Sequence, residues 1–155
     1  MQREIIRFHV DDDGDWVADL ECHHAQHVRH RPPFQMRPWV ETAAGRDDHL
    51  GTTLVCPLCD RAELPDGLVV VRTAGPFDET TLPSGLRHDH RVAARTWGKL
   101  RVRSGSARIG MQTEPPIQRD LYEGDSQAIP PGVIHAVELA AGTIEVDFLV
   151  AAPSA

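Results

Sequence analysis

Cysteine is scarce in this chain: Cys22, Cys56 and Cys59 are the only three among 155 residues, and none lies beyond position 59. An odd, small number argues against a disulfide framework and leaves metal binding or redox chemistry as the uses of those thiols. Positive charge is also short. Sixteen Lys and Arg face 23 Asp and Glu, a formal net charge of −7. That balance speaks against a non-specific binder of nucleic acid or of anionic membranes. No apolar run approaches the roughly 20 residues that a bilayer-crossing helix needs, so no membrane partner is expected. The opening residues, MQREIIRFHVDDDGDW, hold no apolar signal-peptide core and turn acidic at once, which points to the cytoplasm.

What is present fits a folded chain. Hydrophobic residues make up 41% and charged residues 25%, which excludes a disordered composition. The length suits one ordinary domain or two small ones. Two modules are favoured, because all three cysteines and six of the nine histidines fall within the first 60 residues. The polar stretch RAELPDG, 61–67, reads as the linker. The expected modules are therefore residues 1–62 and 68–152.

In the first module, residues 3–9 and 16–21 read as strands around the acidic turn DDDGD. Thr42 or Glu41 opens a short helix through His49, and TTLVC leads as a strand into CPLC. The turn lacks the spacing and distal Glu of a calcium loop. CPLC at 56–59 is a C-x2-C knuckle, whose two thiolates can grip one tetrahedral ion. Cys22 is the third thiol. The histidine cluster in LECHHAQHVRH, 20–30, supplies the fourth donor. Cys22-x4-His27 has a common chelate spacing, so His27 is the first choice and His24 the alternative. The expected site is a closed, structural zinc centre with three thiolates and one imidazole, and a 60-residue unit with few large apolar residues needs such a staple. The competing reading is buried thiols beside solvated histidines.

FHVDDDGDWVA, CHHAQHVRHRPP, RPWV and CPLC together resemble a small bacterial family of unknown function. The resemblance covers most of residues 1–60. It implies a zinc-ribbon-like module, and since the family has no established activity it implies nothing about function. His23 stands where the family usually has glycine, a departure that bears on the turn it occupies.

Beyond residue 67 the pattern is short strands and turns, which reads as an antiparallel β-sandwich or barrel. The whole chain is thus expected to be mainly β, with a small α+β N-terminal module. GDSQAIPPGVIH, 124–135, fits G-x5-P-x-G-x2-H and resembles the second motif of the cupin superfamily, in which the His points inward to bind metal. His88-x-His90 puts two imidazoles on one face of an extended strand. The carboxylate of the first cupin motif is missing from its place. Asp147 or Glu145 on the last strand could replace it, against a reading in which both face solvent. Trp97 is placed at the mouth of the pocket, with a core position as the competing reading.

FDETTLPSGLRHDH, TWGKLRVRSG, PPGVIHAVE and IEVDFLV resemble more closely a cupin-like family found as the N-terminal domain of some tellurite-resistance methyltransferases. That resemblance implies recurring histidines at His90 and His135, and less often at His88. No Gly-rich adenosyl-methionine loop is present, so methylation is not implied. Three functions follow as expectations. The first is a non-enzymatic, stress-associated metal-binding protein whose barrel takes a small molecule or oxyanion, in the context of tellurite or oxidative stress. The second is a cupin oxygenase or isomerase with a second divalent metal at His90 and His135. The third is a protein-interaction adaptor. An edge-to-edge homodimer would cover exposed strand edges.

Overall fold

The computed structural model describes residues 1–153. Strands account for 49% of the chain and helices for 12%, so the protein is mainly β, as its turn-punctuated sequence predicts. It divides into two compact units, residues 1–56 and from Pro57 onward.

The first unit is a four-stranded antiparallel sheet. β1 (Gln2–Val10), β2 (Trp16–Leu20), β3 (Ala25–His27) and β4 (Thr53–Val55) lie in the order β3-β2-β1-β4. Asp11 closes the β1–β2 turn by accepting the Asp13 and Asp15 amides on its carboxylate, an Asx-type arrangement that competes with strand pairing and so ends the strand. Helix α1 (Ala43–His49) starts at Thr42, whose hydroxyl accepts the Gly45 amide; this satisfies one of the orphan N–H groups at a helix start. Ile5, Val17, Leu20, Val28 and Val40 are buried at 5% exposure or less. The core is therefore thin. The one-turn helix α2 (Pro57–Asp60) carries the second half of the C-x2-C knuckle.

The second unit holds β5 (Leu68–Phe77), β6 (Trp97–Met111), β7 (Ile117–Tyr122), β8 (Ser126–Ile129) and β9 (His135–Ala151). They form a curled antiparallel sheet in the order β5-β9-β6-β7, with β8 also paired to β6. The sequence divides β6 and β9 into shorter strands at their glycines, but each runs unbroken for 15 and 17 residues. Gly105 and Gly142 lie opposite each other in the β6–β9 ladder, with φ of 74° and 84°. A Cβ on either would sit 2.1 Å from a carbonyl oxygen of the facing strand. Only glycine tolerates both the angle and the approach. The pair therefore bends two continuous strands together where the sequence suggests two breaks.

Along β6, buried and half-exposed residues alternate. The inward set meets that of β9, so Trp97, Leu100, Ile109, Leu121, Ile129 and Ile144 are buried at 1% exposure or less. Trp97 is thus a core residue and lines no cavity mouth. It opens β6, and its register opposite Leu149 turns the indole into the packed layer.

Candidate functional site

Cys22 and His24 are brought together by the tight turn that joins β2 to β3. The Leu20 amide donates to the His24 carbonyl at 2.9 Å, and the His23 amide donates to the Leu20 carbonyl at 2.9 Å. Closing so short a loop forces His23 into the left-handed region, with φ of 70°. Glycine suits that conformation best, so the histidine at this position is held there by the turn. Cys22 and His24 then flank the turned residue and point the same way.

Cys56 and Cys59 arrive from β4 and α2. The Cys56 amide donates to the Met1 carbonyl at 2.7 Å, which ties the start of the knuckle to the first residue of the chain. Pro57 sits at the first helical position, where its missing N–H costs nothing, and one helical turn returns Cys59 toward Cys56. All four donor atoms lie within 4.8 Å of one another, and all four residues are buried. The His24 Nδ1 stands 3.5 Å from the Cys22 Sγ and 3.4 Å from the Cys56 Sγ, and the two sulfurs are 3.9 Å apart. That separation is far beyond an S–S bond, and no disulfide joins the cysteines.

A tetrahedral ion with bonds of about 2.3 Å to sulfur and about 2.0 Å to nitrogen needs donors about 3.5–3.8 Å apart. The measured spacings match. Burial lowers the basicity of His24, yet the hydrogen bonds and charges of Cys22 and Cys56 outweigh it and raise its pKa to about 9. The soft, closed donor set can hold a metal ion and leaves no position for a substrate.

His27 is not part of this cluster, contrary to the sequence expectation. It lies on β3 opposite Val17, and its Nε2 is 2.7 Å from the Asp11 Oδ2. The reason is the length of the turn. The chelate spacing assumed that the chain reverses after Cys22 over several residues, whereas it reverses at once and uses up His24. His30 accepts the Arg37 amide through its Nδ1 and braces the loop between them.

In the second unit His90 and His135 meet. Their backbones form an isolated bridge with two reciprocal 2.9 Å hydrogen bonds, and the His90 Nδ1 is 3.3 Å from the His135 Nε2. His135 is 2% exposed. Its pKa is lowered by burial and by the neighbouring His90, against the Val133 carbonyl, which acts the other way. The His135 Nδ1 lies 3.1 Å from that carbonyl and so donates to it. The Nε2 must then accept, and the His90 Nδ1 must donate. The two rings form a directed relay that ends on the His90 Nε2.

His88 does not join them. Residues 84–87 form a 3-10 turn rather than a strand, and Asp89 has φ of 27°. The shared parity of His88 and His90 is lost, and the exposed His88 lines a separate shallow depression with Arg108, Asp120 and Tyr122. Asp147 is also elsewhere. It is buried, accepts the Thr73 hydroxyl at 2.7 Å and pairs with Arg101 at 2.8 Å. Glu145 pairs with Arg101 and Arg103. Neither carboxylate serves the histidines, because β9 turns them to the face opposite Ile144 and Val146. At 3.3 Å the imidazoles are close enough to share an ion. Among the described residues, however, no third Cys, His or carboxylate donor joins them, and metal sites of this kind take three or four protein donors.

The pair opens on a cavity of about 280 Å³, walled by Phe77, Leu86, Ile129, Val146 and Phe148, with Arg72 on its lining. Sequence reasoning missed these wall residues. Their signal is the alternation of β9, but nothing in the sequence says which face of β9 meets His90.

Residues 6–63 match a family described as a protein of unknown function, DUF3565, and residues 72–148 match the TehB-like domain. A crystal structure of a protein from E. coli strain K12 is 19% identical, covers 60% of this chain and 91% of its own, and has a TM-score of 0.53, a likeness of fold. TehB from Haemophilus influenzae is 19% identical over 56% of this chain and 32% of its own, with a TM-score of 0.48. The Drosophila melanogaster CENP-C cupin domain is 11% identical over 95% of this chain and 75% of its own, with a TM-score of 0.31. No curated protein sequence matches the chain.

Proposed function

We propose, for a chain that carries a DUF3565 domain followed by a TehB-like domain, a cytoplasmic metal-binding protein of the stress response. In this reading a zinc ion on Cys22, His24, Cys56 and Cys59 is structural, and the β-barrel unit binds a small molecule or oxyanion. The match to the TehB-like domain supports a link to tellurite resistance, and a role in oxidative stress is part of the same proposal. The observation that supports this reading best is the burial of three thiols and one imidazole within 4.8 Å of one another. Three thiolates favour zinc over harder cations, and four protein donors close the site to chemistry. The zinc would hold the turn after β2 to the knuckle after β4, two elements that the thin apolar core secures weakly.

Chelation tests this. Removal of metal from the purified full chain should unfold residues 1–60 and leave the β6–β9 ladder protected in hydrogen exchange. A first unit that stays folded without metal defeats the structural role. Use of the barrel as a metal-dependent oxygenase or isomerase is disfavoured by the absence of a third donor beside His90 and His135 among the described residues.

A further inference from the structure

We propose that the cavity beside His90 and His135 takes a small organic monoanion with an aromatic or branched apolar body, and that Arg72 holds its negative group. This rests on the reading of the second unit as a ligand-binding barrel and names the ligand class.

Size comes first. A volume of about 280 Å³ falls just below the roughly 300 to 1,000 Å³ of drug-sized ligand pockets, which suits a small ligand. The walls set the body of the ligand. Phe77, Leu86, Ile129, Val146 and Phe148 supply aromatic and branched surface. A bare inorganic oxyanion could meet Arg72 but would lose its water against these walls, whereas an apolar body gains by burial.

Arg72 sets the charge. Its guanidinium carbon lies 4.3 Å above the centre of the Phe148 ring. No carboxylate among the described residues pairs with it, whereas Arg101, Arg103 and Arg108 each have one. Arg72 is exposed at the rim of the cavity, and the ring holds its guanidinium there without neutralising it. From that place it can fork a carboxylate through two parallel hydrogen bonds.

The histidines set a polar point within the apolar wall. The relay from the Val133 carbonyl through His135 to His90 uses three of the four ring nitrogens. The His90 Nε2 has no hydrogen-bond partner among the described residues. The relay leaves it a hydrogen-bond acceptor, so it is open to a hydroxyl or N–H of the ligand and not to its anionic group, and two rings locked in this way keep their orientation before the ligand arrives.

The test titrates the full zinc-loaded chain with phenylacetate, benzoate and isovalerate, and in parallel with neutral benzyl alcohol and with tellurite. NMR shifts and ligand-to-protein contacts at Phe148 and His90 are followed. At least one carboxylate should bind with contacts to Phe148. Arg72→Leu should weaken it by about tenfold or more, the loss of one charged hydrogen-bonded contact, and should leave benzyl alcohol within about twofold. Arg72→Lys should recover part of the loss. Leu86→Trp, at a half-buried position of the 3-10 turn, should fill the cavity and abolish binding of both. If tellurite alone perturbs the cavity, or if Arg72→Leu affects neutral and anionic probes alike, the ligand class is wrong and the binding barrel stands. If no probe reaches Phe148 or His90, the class and the ligand-binding reading both fall.

Discussion

The Nδ1 of His24 lies 3.4 Å from the Sγ of Cys56, although 32 residues separate them in the chain. This contact joins the β2–β3 turn to the strand that leads into the knuckle, and it selects one imidazole from four. Its consequence is direct. His24→Ala should weaken zinc binding well beyond the roughly 10- to 100-fold that loss of a merely supporting residue costs. His27→Ala should leave affinity unchanged within about twofold, because its partner is Asp11. Competition with a chromophoric chelator reads both, and equal losses would remove His24 from the site.

How much of this was legible follows from the same turn. C-x2-C and a lone third cysteine name three ligands, because thiol spacing is a local property. The fourth depends on where the chain reverses, and that was set by His23 at φ 70°, which spacing alone does not reveal. Asp89 at φ 27° likewise removed His88 from a pair that strand parity had joined. The meeting of His90 and His135 followed from motif resemblance. The alternation of the strands was plain, but Gly105 and Gly142 read as ends of strands and proved to be bends.

Trp97 belongs to the core, so its truncation should cost stability without touching the cavity chemistry. Trp97→Ala should destabilise the second unit by about 3–5 kcal/mol, the range for a large buried aromatic. Denaturant unfolding measures it. A change below about 1 kcal/mol would mean that the indole is far less confined than its full burial indicates.

Asp147 is tied to Arg101 and Thr73. Breaking a fully buried ion pair costs about 3–5 kcal/mol. Arg101 keeps 32% of its side chain exposed, so water screens what remains, and Asp147→Ala should cost about 1–3 kcal/mol. The variant should leave ligand binding at Arg72 and His90 intact. Loss of binding with stability unchanged would place Asp147 in the cavity after all.

His135 gives a pH signature. Burial and His90 lower its folded pKa, so the unfolded chain binds the proton first as pH falls. Stability should therefore decline below about pH 6.5, the ordinary histidine value, until the folded pKa is reached. The neighbours facing its ring are His90 and the Val133 carbonyl. Urea midpoints at pH 7.5 and 5.5, compared between the native chain and His135→Gln, separate this from acid loss of zinc. The native chain should fall further, and parallel declines would show that His135 does not titrate differently on unfolding.

X-ray absorption at the zinc edge on the purified full chain tests the central claim most directly. The account predicts one zinc per chain with three sulfurs near about 2.3 Å and one nitrogen near about 2.0 Å. The nitrogen shell should give way to oxygen in His24→Ala and persist in His27→Ala. A folded chain that carries no zinc, or a shell with two or more nitrogens and fewer than three sulfurs, would contradict it.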